Sequence, residues 1–269
     1  PDYDALLLRF NTIISEAILV GNSKIKSIIS PTTGLDHIDL VAAKRNKVKV
    51  YHLRGQKRFL KEVSGTAELT MAIMLSLLRK IPQSFDAVKR GMWEPGPFRG
   101  NEVSKKKLGV VGCGRLGAKV SRVAIALGMD VFAYDPYIYR FPAGVTQVDS
   151  LTELLSTIDI LTLHIPLLSE TTHLISTKEI EKMKDEVVII NTSRGSIVST
   201  QALLDGLKKG KIKSAAIDVM EDEHSIKESG HALIDYANKY DNLFITPHIG
   251  GATYESVEKT DLFILKKYF

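Results

Sequence analysis

Three glycines in the segment LGVVGCGRLGAKV have the spacing that is typical of a dinucleotide-binding loop. Gly112, Gly114 and Gly117 follow the apolar run Leu108–Val111, and a helical pattern begins directly after them. In this context the first glycine permits a tight turn, the second lets the backbone approach a pyrophosphate, and the third lets helix and strand pack closely. The N–H groups that begin the helix would face the phosphates. A plain glycine turn is the alternative interpretation.

An acidic residue follows at the place where such a loop needs one for the adenosine ribose. Asp135 ends the next strand-like run, Val131–Tyr134, eighteen residues after Gly117. A carboxylate there accepts hydrogen bonds from the ribose hydroxyls and repels a 2′-phosphate. The pattern therefore predicts NAD rather than NADP as the cofactor, whereas Asp135 taken alone could be a surface aspartate.

An arginine follows another apolar run, in the segment DEVVIINTSRGSIV. Val187–Ile190 is typical of a buried strand, and Arg194 comes only four residues after it. Because arginine is almost never left unpaired in apolar surroundings, we expect the strand to deliver Arg194 to a partner. A guanidinium presents a fork of donors that matches a planar carboxylate beside a carbonyl oxygen. Capping of a turn, or a pair with a surface acid, would also explain it.

The composition indicates an ordinary globular protein. The 269 residues are 44% hydrophobic and 25% charged, which is enough for a substantial core in one or two domains. No apolar run approaches the roughly 20 residues of a membrane helix, and no signal peptide is visible, although a chain that begins with Pro1 could have lost a leader. The net charge of +5 is scattered in short clusters, which favours a solvated surface over a nucleic-acid partner. A single cysteine, Cys113, fits a reducing compartment and predicts a cytoplasmic protein.

The elements that must position these residues alternate between short apolar strands and helical stretches. Such alternation predicts α/β architecture with doubly wound parallel sheets. The longest helical stretch is residues 65–90, interrupted at Pro82, and a loop rich in glycine, proline and charge follows it. The expected strands are Ala5–Leu8, Ile25–Ile29, Val48–His52, Leu108–Val111, Val131–Tyr134, Ile160–Leu163, Val187–Ile190, Ser214–Asp218 and Leu243–Thr246.

Six segments, in this order, resemble the D-isomer-specific 2-hydroxyacid dehydrogenase family: GVVGCGRLG, YDP, LHIPLLSETTHLI, NTSRGSIV, AAIDVMEDE and TPHIGGAT. The resemblance covers nearly the whole chain. It implies two α/β domains with a cleft between them, a Rossmann domain that binds NAD and a flavodoxin-like substrate domain, in a homodimer. We expect residues 81–249 to form the NAD-binding domain. Residues 1–80 with 250–269 should form the substrate domain, which we expect to lack a strand–helix unit in front and part of its final helix.

The resemblance also implies a catalytic trio of Arg194, Glu223 and His248. Arg194 would hold the carboxylate and carbonyl oxygen of a 2-keto acid, and His248 would deliver the proton that the oxygen needs when hydride arrives at the carbon. A carboxylate from Glu223 would stabilise the imidazolium and fix its ring. Taken singly, Glu223 could be part of a solvated acidic run and His248 could be a hydrogen-bonded loop histidine.

Further contacts follow from the same resemblance. Thr33 and Gly34, in SPTTGLDHID, match the loop that meets the substrate carboxylate, although a plain strand–turn–helix is the alternative. No metal is expected, because His224 and His231 match no familiar ligand spacing. Cofactor contacts beyond the glycines and Asp135 are expected from Arg115, Leu116, His164, Pro166, Thr192, Asp218 and Gly250.

Two segments depart from the family pattern. The stretch LRGQKRFLKEVSGTAELT is longer than the usual link and carries Arg54, Lys57 and Arg58, which could favour a larger or more acidic substrate or could be a solvated basic loop. His224 stands where many members have a proline after the glutamate. The sequence therefore does not predict the backbone conformation at this position.

The leading interpretation is an NAD-dependent oxidoreductase that transfers a hydride between NAD(H) and a 2-keto acid or D-2-hydroxy acid. The alternatives are a formate- or phosphite-type dehydrogenase on the same scaffold and an NAD-sensing, corepressor-like binding protein. The expected partner is a small molecule and a second copy of the chain, with neither nucleic acid nor membrane.

Overall fold

The computed structural model describes residues 3–10, 12–20 and 24–269, apart from the side chains of residues 227 and 228. The chain divides into two compact units. The smaller unit comprises the residues up to Val63 together with Gly251–Phe269, and the larger unit is Ser64–Gly250.

Ten strands and twelve α-helices lie in the described residues, with three short 3-10 turns at Gly96–Phe98, Gly195–Ile197 and Glu223–Ser225. The strands are β1 (Ala5–Leu7), β2 (Ser27–Ser30), β3 (Lys49–His52), β4 (Lys107–Val111), β5 (Asp130–Tyr134), β6 (Val145–Gln147), β7 (Ile160–Leu163), β8 (Val187–Asn191), β9 (Ile212–Ile217) and β10 (Leu243–Ile245). The helices are α1 (Glu16–Val20), α2 (Leu40–Arg45), α3 (Lys57–Leu60), α4 (Gly65–Leu78), α5 (Ile81–Lys89), α6 (Arg115–Ala126), α7 (Leu151–Thr157), α8 (Thr177–Lys182), α9 (Thr200–Lys209), α10 (Ile226–Ser229), α11 (Ala232–Ala237) and α12 (Tyr254–Tyr268). Among these helices, none combines the length and the apolar character needed to cross a membrane.

The larger unit, whose backbone is described throughout, contains one parallel sheet of seven strands in the order β10-β9-β8-β7-β4-β5-β6. Alternate residues of a strand enter different cores. Val187 and Ile189 pack with α7, α8, α9 and α11, whereas Val188 and Ile190 pack with α4 and α6 on the opposite face. Burial on both faces explains why these strands are continuous apolar runs rather than alternating ones.

The smaller unit repeats this layering on a smaller scale. Its three described strands form a parallel sheet in the order β1-β2-β3. Neighbouring residues of β2 again enter different cores, because Ile28 packs with the residues of α1 and α2 while Ile29 packs with Leu60 and with Ile264 of α12. The expectation of α/β folding with parallel, doubly covered sheets is confirmed in each unit.

All nine expected strands are present, with ends that differ by at most two residues. The strand β6 was missed because it lies at the edge of its sheet and is largely exposed, so it has no apolar run to reveal it. The helical stretch 65–90 is broken as expected, since Lys80 has the left-handed φ of +52° and Pro82 then lies in the first turn of α5, where its missing N–H costs no hydrogen bond.

Along the chain, the boundary between the two compact units falls between Val63 and Ser64 rather than at residue 80. Helix α4 belongs to the larger unit because it packs on α6, β8 and β9. Its buried side chains Met71, Met74 and Leu77 enter the same core as Val188 and Ile190. The assignment of the two units to substrate and cofactor stays a prediction.

Candidate active site

The glycine loop lies where the order of the large sheet reverses. Strand β4 pairs with β5 on one side and β7 on the other, so the chain leaves the sheet in opposite directions from this point, and ligands of such sheets bind at the carboxyl ends of the diverging strands. Gly112 has a φ of +86°, and a Cβ there would lie 2.6 Å from the carbonyl oxygen of His164. Only glycine therefore fits between the ends of β4 and β7.

The two later glycines of the loop face different surroundings. A Cβ on Gly117 would lie 2.0 Å from the carbonyl oxygen of Gly112, so α6 packs directly on the loop. Apart from its neighbours along the chain, no heavy atom of the described residues lies within 4 Å of the place that a Cβ of Gly114 would take. The open side of Gly114 adjoins Arg115 and Leu116, which begin α6. An open glycine at a helix N-terminus fits the pyrophosphate of a dinucleotide.

Asp135 is held against the same loop. Its Oδ2 atom accepts a hydrogen bond of 2.9 Å from the backbone N–H of Cys113, and its Oδ1 atom accepts one of 2.9 Å from the N–H of Tyr137. Each carboxylate oxygen retains lone-pair capacity for a further donor. The residues present therefore fit the ribose and pyrophosphate of NAD, and the ribose contact stays a prediction.

Cys113 is buried inside the glycine loop. Burial raises the pKa of its thiol, with the nearby Asp135 carboxylate adding to the rise and a hydrogen bond with Ser121 opposing it. A protonated, buried thiol is unreactive, so Cys113 acts as a small filler of the loop.

His164 and Pro166 follow β7 beside the glycine loop. Burial lowers the pKa of His164 to about 4, so its ring is neutral, and its Nε2 atom lies 3.0 Å from the hydroxyl of Thr162. The carbonyl oxygen of Pro166 accepts a hydrogen bond from the Thr171 hydroxyl at 2.7 Å. Their contacts with a cofactor stay a prediction.

The turn that carries Arg194 is braced by the side chains just before it. The Asn191 amide donates to the carbonyl oxygen of Arg194 at 2.9 Å and accepts from the N–H of Ser193 at 3.0 Å. The Ser193 hydroxyl donates to the carbonyl oxygen of Leu163 at the end of β7. Arg194 is partly buried, and its Nη1 atom donates to the carbonyl oxygen of Ser193 at 2.7 Å. Strand β8 thus delivers a guanidinium to the carboxyl edge of the sheet.

Thr192 lies between the end of β8 and this turn, and it is buried. Its hydroxyl lies 2.8 Å from that of Thr70 in α4. Thr70 donates its single hydroxyl hydrogen to the carbonyl oxygen of Thr66 at 2.7 Å, so Thr192 must be the donor between the two hydroxyls. The hydroxyl of Thr192 therefore ties the Arg194 turn to α4.

Gly195 brings the Arg194 turn against the segment that carries Glu223. A Cβ on Gly195 would lie 1.9 Å from the carbonyl carbon of Met220 and 2.3 Å from the backbone nitrogen of Glu221. No side chain fits in that space, because real Cβ atoms do not approach backbone so closely. The glycine after the arginine is therefore required by the packing of these two segments.

Glu223 and His248 form a short hydrogen-bonded pair. The Oε1 atom of Glu223 lies 2.6 Å from Nδ1 of His248, and the side chains are 21% and 20% exposed. Burial alone would raise the pKa of Glu223, but the hydrogen bond and charge of His248 outweigh it and lower that pKa. Glu223 is thus a carboxylate at neutral pH that fixes the ring of His248.

Asp218 organises the loop on which His248 lies. This aspartate is 1% exposed and accepts hydrogen bonds from the Thr246 hydroxyl at 2.6 Å and from the N–H groups of Ile249 and Gly250 at 2.8 Å each. Burial raises the pKa of Asp218, while these three donors oppose the rise. Its carbonyl oxygen also accepts from the N–H of His248 at 2.9 Å, and His248 has a left-handed φ of +54°. A buried carboxylate therefore fixes the backbone that presents the histidine.

Thr33 and Gly34 lie in the smaller unit. The carbonyl oxygen of Gly34 accepts a hydrogen bond from the Thr32 hydroxyl at 2.7 Å, and Thr33 is exposed with its carbonyl oxygen 3.5 Å from Nε of Arg54. Their part in binding a substrate stays a prediction, as do the catalytic roles of Arg194, Glu223 and His248.

Sequence reasoning missed two residues beside the site. His173 Nε2 lies 2.5 Å from Glu221 Oε1, two residues before Glu223 along the chain. From the sequence, Glu221 is one member of an acidic run and, after Glu223, a candidate partner of His248, and His173 is one letter of the segment LLSETTHLI. Neither residue had a local pattern to mark it, because the pair is formed by residues 48 positions apart.

The chain belongs to the D-isomer specific 2-hydroxyacid dehydrogenase family. The model of that family's NAD binding domain matches residues 71–250, a range that holds the glycine loop, Arg194, Glu223 and His248. The expected family and its NAD-binding domain are therefore confirmed.

Individual relatives agree. The chain is 37% identical over 258 residues to a D-3-phosphoglycerate dehydrogenase of Methanocaldococcus jannaschii, covering 95% of this chain and 47% of that protein. It is 35% identical over 269 residues to a hydroxypyruvate reductase of Thermotoga maritima, covering 100% of this chain and 85% of the relative. A D-lactate dehydrogenase of Aquifex aeolicus, complexed with NAD and lactic acid, superposes with a TM-score of 0.84 at 32% identity over 98% of this chain and 81% of that one. The chain thus spans about half the length of the D-3-phosphoglycerate dehydrogenase.

Proposed function

We propose that the protein is an NAD-dependent oxidoreductase that reduces a 2-keto acid to the D-2-hydroxy acid, or catalyses the reverse. The observation that carries this proposal is the 2.6 Å contact between Glu223 Oε1 and His248 Nδ1, in the same unit as a glycine loop that fits a dinucleotide. The relatives are a D-3-phosphoglycerate dehydrogenase, a hydroxypyruvate reductase and a D-lactate dehydrogenase, and their names support the same class of substrate.

Each member of the trio has a distinct part in this reaction. When bound, the reduced nicotinamide supplies a hydride for the carbonyl carbon. Arg194 binds the carboxylate and the carbonyl oxygen of the keto acid through its fork of donors, which orients the carbonyl and stabilises the charge that grows on its oxygen. Since Nδ1 of His248 is held by Glu223, we assign Nε2 as the atom that delivers the proton to that oxygen. Glu223 stabilises the imidazolium until the proton leaves.

The test is consumption of NADH by the whole protein with a panel of 2-keto acids. We expect turnover with at least one keto acid, and its loss in His248→Gln with NADH binding retained. Turnover of formate or phosphite with NAD instead would favour the dehydrogenases of those anions, and tight NADH binding without turnover of any compound would favour an NAD sensor. Either result would contradict the proposal.

The cofactor preference can be measured in the same assay. We expect a higher kcat/KM with NADH than with NADPH, because Asp135 would face the 2′-phosphate and the next residue is Pro136 rather than a cation. Equal values for the two cofactors would show that Asp135 does not bind the ribose.

We further propose that the preferred keto acid carries a second negative group. Arg54, Lys57 and Arg58 are exposed, and none of them pairs with a carboxylate of the described residues. Arg54 follows β3 and Thr33 follows β2, and these parallel strands pair at Ser30 and His52. Their ends therefore leave the same edge of the sheet, where the guanidinium of Arg54 lies 3.5 Å from the Thr33 carbonyl oxygen. Uncompensated cations beside the expected carboxylate-binding loop would attract a phosphate or second carboxylate.

The substrate panel should therefore include keto acids with and without a second anion. We expect Arg54→Gln to raise KM for a dianionic keto acid and to leave KM for pyruvate unchanged. Lys44→Gln is the matched control, because Lys44 is an exposed cation of the same unit on α2. Equal effects of Arg54→Gln on both substrates would mean that the basic segment is merely solvated.

We propose a homodimer as the working form. Helix α5 presents Ile81, Phe85 and Val88 on one face, with exposed fractions of 51%, 62% and 47%, and Trp93 beyond it is 85% exposed. Clustered apolar side chains of this kind are typical of interfaces. Light scattering should give the mass of two chains, and Phe85→Asp should give the mass of one.

We also propose that the protein works in the cytoplasm. Its one cysteine, Cys113, is a buried thiol without a disulfide partner in the chain, which suits a reducing compartment. Fractionation of the native host is the test, and recovery in an oxidising compartment would contradict it.

A further inference from the structure

A second carboxylate–imidazole pair lies beside the candidate active site and has no part in the proposed reaction. Nε2 of His173 lies 2.5 Å from Oε1 of Glu221, and the side chains are 49% and 20% exposed. Oε2 of Glu221 accepts a hydrogen bond of 2.8 Å from the backbone N–H of Thr200, at the start of α9. The two oxygens of this carboxylate therefore join two separate parts of the larger unit.

His173 is also bonded to the turn that carries Arg194. Its backbone N–H donates to the carbonyl oxygen of Ser196 at 2.7 Å, and the N–H of Ile175 donates to that of Ile197 at 3.0 Å. His173 has a left-handed φ of +51°, a conformation that a residue with a side chain adopts only where its surroundings require it. The backbone of His173 is thus fixed on the Arg194 turn while its ring reaches Glu221.

Glu221 is fixed on its other side by backbone contacts. Its nitrogen lies 2.3 Å from the place that a Cβ of Gly195 would take, and its carbonyl oxygen accepts a hydrogen bond of 3.0 Å from Nε2 of His231. Asp222, with a φ of +50°, is the one residue between Glu221 and Glu223. A displacement of Glu221 would therefore have to be absorbed by a single residue if it were not to reach Glu223.

We propose that Glu221 and His173 are positioning residues, which hold the segment from Met220 to Glu223 against the Arg194 turn and so set the contact of Glu223 with His248. Neither residue touches the reacting atoms of the proposed keto-acid reduction. The inference rests on the proposed function for its consequence in catalysis, but the contact itself can be tested without turnover.

The charge of Glu221 supports this role. Burial would raise the pKa of Glu221, but hydrogen bonds from Thr200 and His173 outweigh burial and lower it. The carboxylate is therefore present throughout the neutral range, and its bond with the Thr200 N–H does not depend on the protonation of His173. The bond between Glu221 and the Thr200 N–H is therefore kept across the neutral range.

The first test follows the ring of His248 by NMR in the whole protein. The substitution Glu221→Ala removes the acceptor of both Thr200 and His173, so Glu223 loses its fixed place beside Nδ1 of His248. We expect the titration of the His248 ring to move to lower pH, in the same direction as in Glu223→Gln but by less. The control is Glu181→Ala, which removes an exposed acid on α8 and should leave the titration in place.

The second test is kinetic. We expect Glu221→Ala to lower kcat/KM for keto-acid reduction about 10- to 100-fold, the effect of a small misplacement of a catalytic group, and to move the alkaline limb of the pH profile to lower pH. The Kd of NADH should not change. Glu221→Gln, which keeps an oxygen for the Thr200 N–H, should recover part of the loss. In the double variant with Glu223→Gln, the substitution of Glu221 should add nothing, because a positioning residue acts only through the residue that it positions.

Three results would overturn the inference. They are an unmoved His248 titration in folded Glu221→Ala, additive losses in the double variant, and a lower melting temperature with an unchanged pH profile. If circular dichroism shows that Glu221→Ala does not fold, His173→Gln replaces it, with a smaller shift in the same direction expected and an unmoved titration contradicting the proposal. A wild-type protein without turnover would refute the proposed function, while the NMR titrations would still decide the positioning of Glu223.

Discussion

The larger unit contains two carboxylate–histidine pairs whose glutamates, Glu221 and Glu223, are two residues apart on the chain. The two carboxylates differ in what else they bind. Glu223 lies 2.6 Å from His248, and Glu221 lies 2.5 Å from His173. The second oxygen of Glu221 is bonded at 2.8 Å to the start of α9, whereas among the described side chains and backbone that of Glu223 has a single long contact, 3.4 Å from the N–H of Met220. We therefore propose different parts for the two pairs: Glu221 and His173 position a segment of the chain, whereas Glu223 supports His248 as the proton donor.

The histidines differ in how their backbones are supported. His248 lies in a loop that is held by the buried carboxylate of Asp218. This carboxylate accepts hydrogen bonds from the Thr246 hydroxyl and from the N–H groups of Ile249 and Gly250. His173 is 49% exposed at its side chain, against 20% for His248. A histidine that is braced and largely enclosed, beside the carboxyl edge of the sheet, suits a catalytic acid, whereas a half-exposed histidine suits a surface anchor.

The largest expected difference between the pairs lies in the histidines themselves. We expect His248→Gln to lower kcat for reduction by about 10²- to 10⁴-fold, the usual effect of removing a general acid, because the amide of glutamine is too weak an acid to give up a proton. His173→Gln should cost at least tenfold less. Steady-state kinetics with NADH and the best keto acid provide the measurement, and NADH binding in each variant is the control. Similar losses in both variants would reverse the roles that we assign to the pairs.

The next effect concerns Arg194, whose turn packs at Gly195 against Met220 and Glu221. We expect Arg194→Lys to raise the barrier by on the order of 2–4 kcal/mol, which is roughly a 30- to 900-fold loss of kcat/KM. Lysine keeps the positive charge but does not reproduce the fork of donors that meets carboxylate and carbonyl together. The affinity for NADH should be nearly unchanged, and a lysine variant with normal kcat and KM would give Arg194 a structural part instead.

Much of this arrangement could be predicted from sequence because its causes are local or repeated. Val187–Ile190 is a continuous apolar run since Val188 and Val187 enter different cores, and Gly112 is required by a backbone φ of +86°. The pairing of Glu223 with His248 was expected from the family resemblance, and the strands before them, β9 and β10, are parallel neighbours that end at the same edge of one sheet.

The second pair could not be predicted, because its cause is tertiary. His173 and Glu221 come together only after Gly195 has packed against the Met220 carbonyl and Thr200 has begun α9. Nor could the boundary of the units be placed, since the position of α4 depends on its packing against α6, β8 and β9 rather than on its own composition.

A smaller effect tests the charge of Glu223 through the pH dependence of reduction. Reduction requires the protonated ring of His248, and the charge of Glu223 favours that form. Because the pKa of Glu223 is lowered, its charge is present across the neutral range. We expect Glu223→Gln to move the alkaline limb of kcat/KM for reduction to lower pH, since the ring then loses its proton more easily. The control Glu181→Gln should leave the limb in place. A limb that does not move, with good activity at neutral pH, would contradict the pairing.

The smallest expected effect is on stability in acid, where the two pairs should behave alike. The pKa values of Glu223 and Glu221 are both lowered in the folded protein, so each carboxylate stabilises the fold above its unfolded pKa of about 4.3. That contribution is lost as the pH falls through the folded value. At pH 7 we expect Glu223→Gln and Glu221→Gln each to lower the free energy of unfolding by about 1 kcal/mol, the usual net worth of a hydrogen bond. As the pH falls below the unfolded pKa and through the lowered folded pKa, the deficit of each variant should shrink, because both states of the wild type become protonated. Urea unfolding followed by circular dichroism, measured in steps from pH 7 into acid, gives this trend, with Glu181→Gln as control. A deficit that stays constant from pH 7 into acid would mean that the loss comes from packing and not from the charged pairs.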